Sequence, residues 1–482
     1  MKRTNMIITA AIALSLAGNA GMASAEEAQS GSIASFGATS LIKKDGTLWV
    51  WGNDRAVPTA VPGLTGAQQS FDSGLVRKND DTVWLWQSDP QTGKLNALPV
   101  EGVDGVVDSD EDVVANEAGQ VFAAESDGDL SRFKPVAGID RVKSVESYWD
   151  QEYNSHYAFL KDDGTVWTGN DSLSGFAQVQ PLSGIVQIDG DIALKQDGTV
   201  WELQQGVTGK SSAQASQIKG LSGVRSIWGN SGAMLAIDGQ GRLWFRGETI
   251  TGFSDGTTYH KNTDPVLLTG ISKVKKAVIV ERSIVALTQA NTVYTASIER
   301  EKMPANAAFE LLAKDIAGLE SGYRHVIMQR TDGTLWGWGY GKHGELGNGG
   351  FEVFETTPVP VQRPIAVSIN GQDAALPTGV ITRNGQNFVP LRSVFEQLGA
   401  VIKYDEPTKT ATVTSSGDQP VAIGVNVKTG QVTLNNEAVQ LDNQPFNVNG
   451  TLYLPLRFIS EKLGAKVEWL PSEERIAITI GL

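Results

Sequence analysis

The residues in this 482-residue chain that could do chemistry are few and scattered. There is no cysteine, which removes thiol nucleophiles, thiolate zinc sites and iron–sulfur clusters. The histidines are His156, His260, His325 and His343. A copper centre built on imidazoles needs three that converge, and no Asn-Tyr-Asp/Glu stretch supplies a quinone precursor beside one. His325 precedes an apolar run and His343 sits in a Gly-rich turn, so both read as structural. Carboxylates cluster at Asp108, Asp110, Glu111 and Asp112, and again at Asp127 and Asp129. A calcium loop needs alternating oxygen ligands closed by a bidentate Glu; the spacing lacks that ending, and turn formation accounts for the clusters. Glycosidase carboxylate pairs are assembled in space, so 54 acidic residues identify no pair. Gly-x-Ser-x-Gly, His-Glu-x-x-His and phosphate-loop motifs are missing. No catalytic residue, metal ligand or cofactor site is therefore assigned. The best binding candidates are aromatic: Tyr148, Trp149 and Tyr153 with His156 around one insertion, and Phe253 and Tyr259 in another. Exposed rings offer large contact areas for sugars or protein partners; the competing expectation is that the insertions pack their rings inward.

The elements that must position these residues form a repeat. Asp45-Gly46-Thr47-Leu48-Trp49, Asp163-Gly164-Thr165-Val166-Trp167, Asp197-Gly198-Thr199-Val200-Trp201 and Asp332-Gly333-Thr334-Leu335-Trp336 are near copies. Looser copies end at Trp84, Trp244 and Tyr294, and the most eroded at Phe122. Successive aromatic anchors are 34 to 50 residues apart. A tight turn followed by a short aromatic strand at this period is the signature of radial or stacked β-units. Trp49 and Trp51 share one face of their strand, while Leu48 and Val50 share the other. Apolar side chains on both faces predict a sheet covered on both sides, as a propeller blade is by its neighbours. Eight such units fill residues 33–361.

The unit around Ser321-Gly322-Tyr323-Arg324-His325, Asp332 to Gly339 and Gly344-Glu345-Leu346-Gly347-Asn348-Gly349 resembles the repeat of the regulator of chromosome condensation family. The resemblance implies a seven-bladed propeller. The repeat count allows eight blades, or seven with the terminal units sharing one blade to close the ring. Beyond a proline-punctuated linker at 362–364, residues 365–482 are themselves duplicated, in copies of about 365–416 and 420–482. Phe388-Val389-Pro390-Leu391-Arg392 and Leu398-Gly399-Ala400 recur 65 residues later as Tyr453-Leu454-Pro455-Leu456-Arg457 and Leu463-Gly464-Ala465. Leu391, Val394, Phe395 and Leu398 fall on one helical face. This module resembles the copper amine oxidase N-terminal-like, or stalk, domain. In amine oxidases that domain is peripheral to the copper site, so the resemblance implies display or attachment and not oxidation.

Residues 1–25 read as a secretory signal peptide: Lys2-Arg3, an apolar run from Ile7 to Ala17, and Ala23-Ser24-Ala25 for cleavage after Ala25. Residues 26–32 read as a flexible start. The formal charge is −14, and removal of Lys2 and Arg3 leaves 38 basic against 54 acidic residues, or −16. Such a surface repels nucleic-acid phosphates and anionic lipids. The expectation is a mainly β, exported, non-enzymatic binding protein of bacterial type, secreted or cell-wall associated, with no cofactor, no nucleic-acid partner and no membrane span once mature. Propeller loops would recognise an extracellular protein or a cell-wall glycan, with the C-terminal α+β module as stalk or wall-associated accessory. The alternatives are a secreted inhibitor of an extracellular enzyme, as the resemblance allows, and a wall- or polysaccharide-active enzyme.

Overall fold

The computed structural model describes residues 33–149, 154–204, 214–229, 232–252, 256–415 and 420–480. The described strands up to Pro360 form eight consecutive four-stranded antiparallel meanders. We number them units 1 to 8, covering residues 33–60, 67–104, 106–135, 142–178, 185–217, 224–268, 274–313 and 316–360. Units 2 and 3 are joined at their outer strands by a parallel Arg132–Glu101 bridge, reinforced by the ion pair of those side chains at 2.6 Å.

The repeated motif is a turn lock. In unit 5, Asp197 Oδ1 accepts from the Thr199 backbone N–H at 3.0 Å and from its hydroxyl at 2.6 Å. The Thr199 oxygen in turn accepts from Trp201 Nε1 at 3.0 Å. The same relay recurs at Asp45-Thr47-Trp49, Asp163-Thr165-Trp167 and Asp332-Thr334-Trp336. A cation from the preceding strand covers the ring in several units, with Lys43 over Trp49, Lys161 over Trp167 and Arg330 over Trp336. Glycine is required at position 198: φ is +80°, and a Cβ would stand 2.7 Å from the backbone of Gly223, just before unit 6. Its carbonyl accepts from the Val224 N–H, which opens the next inner strand. Equivalent bonds join Gly46 to Ala67, Gly119 to Val142, Gly164 to Ile185 and Gly241 to Val274. The motif thus fixes both its own hairpin and the spacing to the next unit.

Each pair of neighbouring units shares an apolar core. Ile42, Leu48 and Val50 of unit 1 pack with Ala67 and Val76 of unit 2. Leu41, Trp49 and Trp51, from the other face of unit 1, pack with Ile327 and Leu335 of unit 8. The period-two expectation for Trp49-Val50-Trp51 is met, and the last unit lies against the first. Units 1 and 8 are separate sheets, each built from consecutive strands.

The C-terminal module interleaves its two copies. Strands Gln386–Pro390 and Thr451–Pro455, equivalent in the duplication, pair antiparallel at the centre of one sheet. The module's first strand, Ala366–Ile369, pairs parallel with its last, Arg475–Ile480. The strand ending copy one, Thr410–Thr414, pairs with Ala422–Asn426, which opens copy two. Each copy therefore completes its sheets with strands of the other. Helix Leu391–Phe395 buries Leu391, Val394 and Phe395, as the sequence periodicity predicts.

Candidate interaction face

In a four-stranded meander the first and third turns lie at one end and the second at the other. The second turns of units 1, 4, 5 and 8 carry the Asp-Gly-Thr locks. The inner strands of neighbouring units run side by side in one sense: Asp108 of unit 3 accepts from Val145 N of unit 4 at 2.9 Å, and Asp110 accepts from Ser147 N. First and third turns accordingly share a face, opposite the locks. On that face the predicted binding residues part company. Trp149 ends the strand Val142–Trp149 and is 51% exposed, and Tyr259, on the third hairpin of unit 6, is 61% exposed. Tyr148 is only 8% exposed. It packs with Ala158 and Ile188 and stacks on His156 at 5.5 Å, so it braces the hairpin from inside. Tyr153 and Phe253 lie outside the described residues.

The insertions that sequence reading treated as loops are, where described, extended hairpins. Tyr148 pairs with His156 and Trp149 with Ser155; Tyr259 pairs with Ile250 and His260 with Thr249. Ladder hydrogen bonds, rather than loop chemistry, set the direction of these side chains. Tyr323, 92% exposed in the first turn of unit 8, was missed as a binding candidate. Its signal was present: Ser321 to Arg324 replaces the short acidic turn seen in units 3 and 5.

The histidines do not converge. His325 Nε2 bonds to Ala38 O at 2.9 Å, His260 Nε2 to Thr251 Oγ1 at 2.7 Å, and His343 Nδ1 to Asp54 Oδ1 at 3.2 Å. No group of three potential metal-binding side chains occurs among the described residues. Arg392 and Arg457 each face a carboxylate one turn on, Glu396 at 3.5 Å and Glu461 at 3.9 Å.

Carboxylates gather instead along the inner strands of units 3 to 5. They act as rungs between units: beyond the two bonds from Asp108 and Asp110, Glu146 Oε2 accepts from Gly190 N at 3.3 Å. Gln187 fills the same role without charge, donating to Ile227 O and accepting from Ile227 N. Burial pushes Glu146 up to about 8, helped by repulsion from Asp189, Asp110 and Asp108. Burial, with repulsion from Asp191, pushes Asp189 up to about 7. Asp191 is pushed to about 6 by burial and by Glu202, against the pull of Arg246. Burial also raises Asp108 and Glu111. The arrangement is a column in which burial holds Glu146, Asp189 and Asp191 well above the ordinary carboxylate range, with Gln187 as a neutral rung beside them.

Two recesses lie between neighbouring units. One, of about 290 Å³, is lined by Leu311, Ile316, Arg330, Trp336 and Pro358 between units 7 and 8. The other, of about 150 Å³, surrounds the Glu202–Arg246 pair of units 5 and 6. Neither holds Trp149, Tyr259 or Tyr323. What the geometry presents is an open face with exposed aromatics on separate units.

Comparison with known proteins agrees with the two resemblances read from the sequence. Residues 332–370 match the regulator of chromosome condensation (RCC1) repeat, on the unit whose motifs carry that resemblance. Residues 368–478 match the copper amine oxidase N-terminal domain. Among solved structures, human WBSCR16 is 15% identical, covering 66% of this chain and 95% of its own, with a TM-score of 0.41. Prp20p from Saccharomyces cerevisiae is 14% identical, covering 71% and 90%, also with a TM-score of 0.41. A search of curated proteins gave no match. The chain is thus a mainly β propeller of repeated meanders followed by a module that matches the copper amine oxidase N-terminal domain.

Proposed function

We propose that the chain is an exported, non-catalytic binding protein that holds an extracellular protein or a cell-wall glycan on the face opposite its turn locks. The observation that carries this reading is the exposure of Trp149, Tyr259 and Tyr323 on first and third turns of units 4, 6 and 8. Large rings held by rigid hairpins lose little conformational entropy when they stack on a partner. The matches support a scaffold role, one being to a repeat and the other to an accessory domain. Export rests on the residues of the first 25 positions, and the acidic charge argues against nucleic acid as the partner.

The test adds the full chain to washed cell walls and, separately, to immobilised secreted proteins. Retention on either, lost at least tenfold in the triple variant Trp149→Ala, Tyr259→Ala and Tyr323→Ala, supports the reading, since anchor residues at an interface each contribute about 2 kcal/mol or more. Undiminished retention of the triple variant overturns it.

A further inference from the structure

The eight units are consecutive in the chain, so every seam between neighbours is bridged covalently except the one between unit 8 and unit 1. Among the described residues no strand is shared there to close it. That seam is also where the C-terminal module sits. Lys43, on the second strand of unit 1, is buried; its ammonium donates to Pro364 O at 2.8 Å and pairs with Glu474 at 2.8 Å. Glu474 lies at the turn before the module's last strand, with side-chain exposure of 4% against 5% for Lys43. Neither carboxylate oxygen of Glu474 has a hydrogen-bond donor of another kind among the described residues. The pair therefore couples the end of the chain to its first unit.

Two further contacts join three parts at once. Ala56 and Val57 of unit 1 share a cluster with Ile381, Phe388 and Tyr453 of the module, and Phe351 from the last turn of unit 8 packs against it. Gln362, in the linker, donates to Asn348 O of unit 8 and to Thr382 O of the module, and accepts from Thr382 N. Its own N–H bonds to Gly347 O, and Gly349 N bonds to Ala56 O of unit 1. Gly379 of the module meets strand Arg55–Ala60 so closely that a Cβ would stand 2.4 Å from Pro58 O and 3.0 Å from Val57 Cγ2.

From these contacts we infer that the C-terminal module is a clasp that holds the ring closed at the seam between units 8 and 1. A stalk on a free linker would leave Lys43 without Pro364 and Glu474, and Val57 without Gly379; here both are met by residues more than 300 positions further along. The seam without a covalent bridge is the one the module spans, and the interleaved copies make the clasp a single rigid piece.

The test is amide hydrogen exchange on the full chain, read by mass spectrometry, for Glu474→Gln and for Gly379→Val. The first removes the charge from the buried pair with little change of shape, and the second drives a side chain into Pro58. The clasp predicts at least tenfold faster exchange in strands Leu48–Gly52 and His325–Arg330, at the seam, with Ile192–Lys195 of unit 5 unchanged. Faster exchange confined to the module, equal acceleration across all eight units, or no acceleration overturns it. Should Gly379→Val fail to fold, Glu474→Gln decides alone.

Discussion

Raising the pH from 5 to 8 should loosen this protein, and Glu146→Gln should abolish much of that loss. Glu146 is held at about 8 against an ordinary 4.5, first by burial and then by repulsion from Asp189, Asp110 and Asp108. The folded state therefore keeps a proton that the unfolded chain releases near pH 4. Its contribution is complete below that value and lost as pH climbs towards 8. A displacement of this size corresponds to a ceiling of about 5 kcal/mol at 1.36 kcal/mol per unit. Water reaching the half-buried carboxyl, and repulsion already counted at Asp189, reduce the expected loss to about 2 kcal/mol between pH 5 and 8. That is about a thirtyfold fall in the folding equilibrium constant. Gln at 146 keeps an oxygen for the Gly190 N–H, as Gln187 does for Ile227, and carries no charge. Urea unfolding at pH 5, 6.5 and 8 should show the variant equal to the parent at pH 5 and about 2 kcal/mol more stable at pH 8. Parallel profiles for the two proteins, or a parent whose stability is flat over this window, would refute the account of the column.

Other perturbations probe the scaffold. Thr199→Val leaves Trp201 Nε1 without its acceptor and Asp197 without its hydroxyl donor, and should cost about 1–2 kcal/mol in urea unfolding. Lys43→Met strands the buried Glu474 carboxylate and should cost about 3–5 kcal/mol, most of it recovered in the Lys43→Met/Glu474→Leu double variant. Phe245→Ala empties a fully buried position between units 6 and 7 and should cost about 3–5 kcal/mol in the same assay.

The architecture was legible because its signals are local. A repeated Asp-Gly-Thr-x-Trp needs only five residues to declare a turn, a strand and a buried ring, and Leu48 to Trp51 announced two covered faces through their alternation alone. The duplication at Phe388 and Tyr453 was equally plain. Their pairing with each other was not, since a register between strands 65 residues apart leaves no mark on either segment. The packing of the module on unit 1 was hidden for the same reason: Lys43 and Glu474 are unremarkable in sequence and meet only in space. At the candidate site, aromatic content identified the hairpins at Trp149 and Tyr259 but could not separate exposed Trp149 from buried Tyr148, since adjacent residues on a strand point to opposite faces.

The distribution of irregularity between the two faces favours the proposed binding face. In units 1, 4 and 5 the second turn is constrained twice over, by the Asp–Thr–Trp relay within the unit and by the carbonyl that receives the next unit's N–H. A longer turn there would break a hairpin and a seam together. First and third turns vary more in length and sequence, and the lengthened hairpins at Trp149 and Tyr259 and the altered turn at Tyr323 all fall on them. Insertions on the first- and third-turn face leave the Asp–Thr–Trp turns of the other face intact, and that is the face a binding protein can shape to its partner.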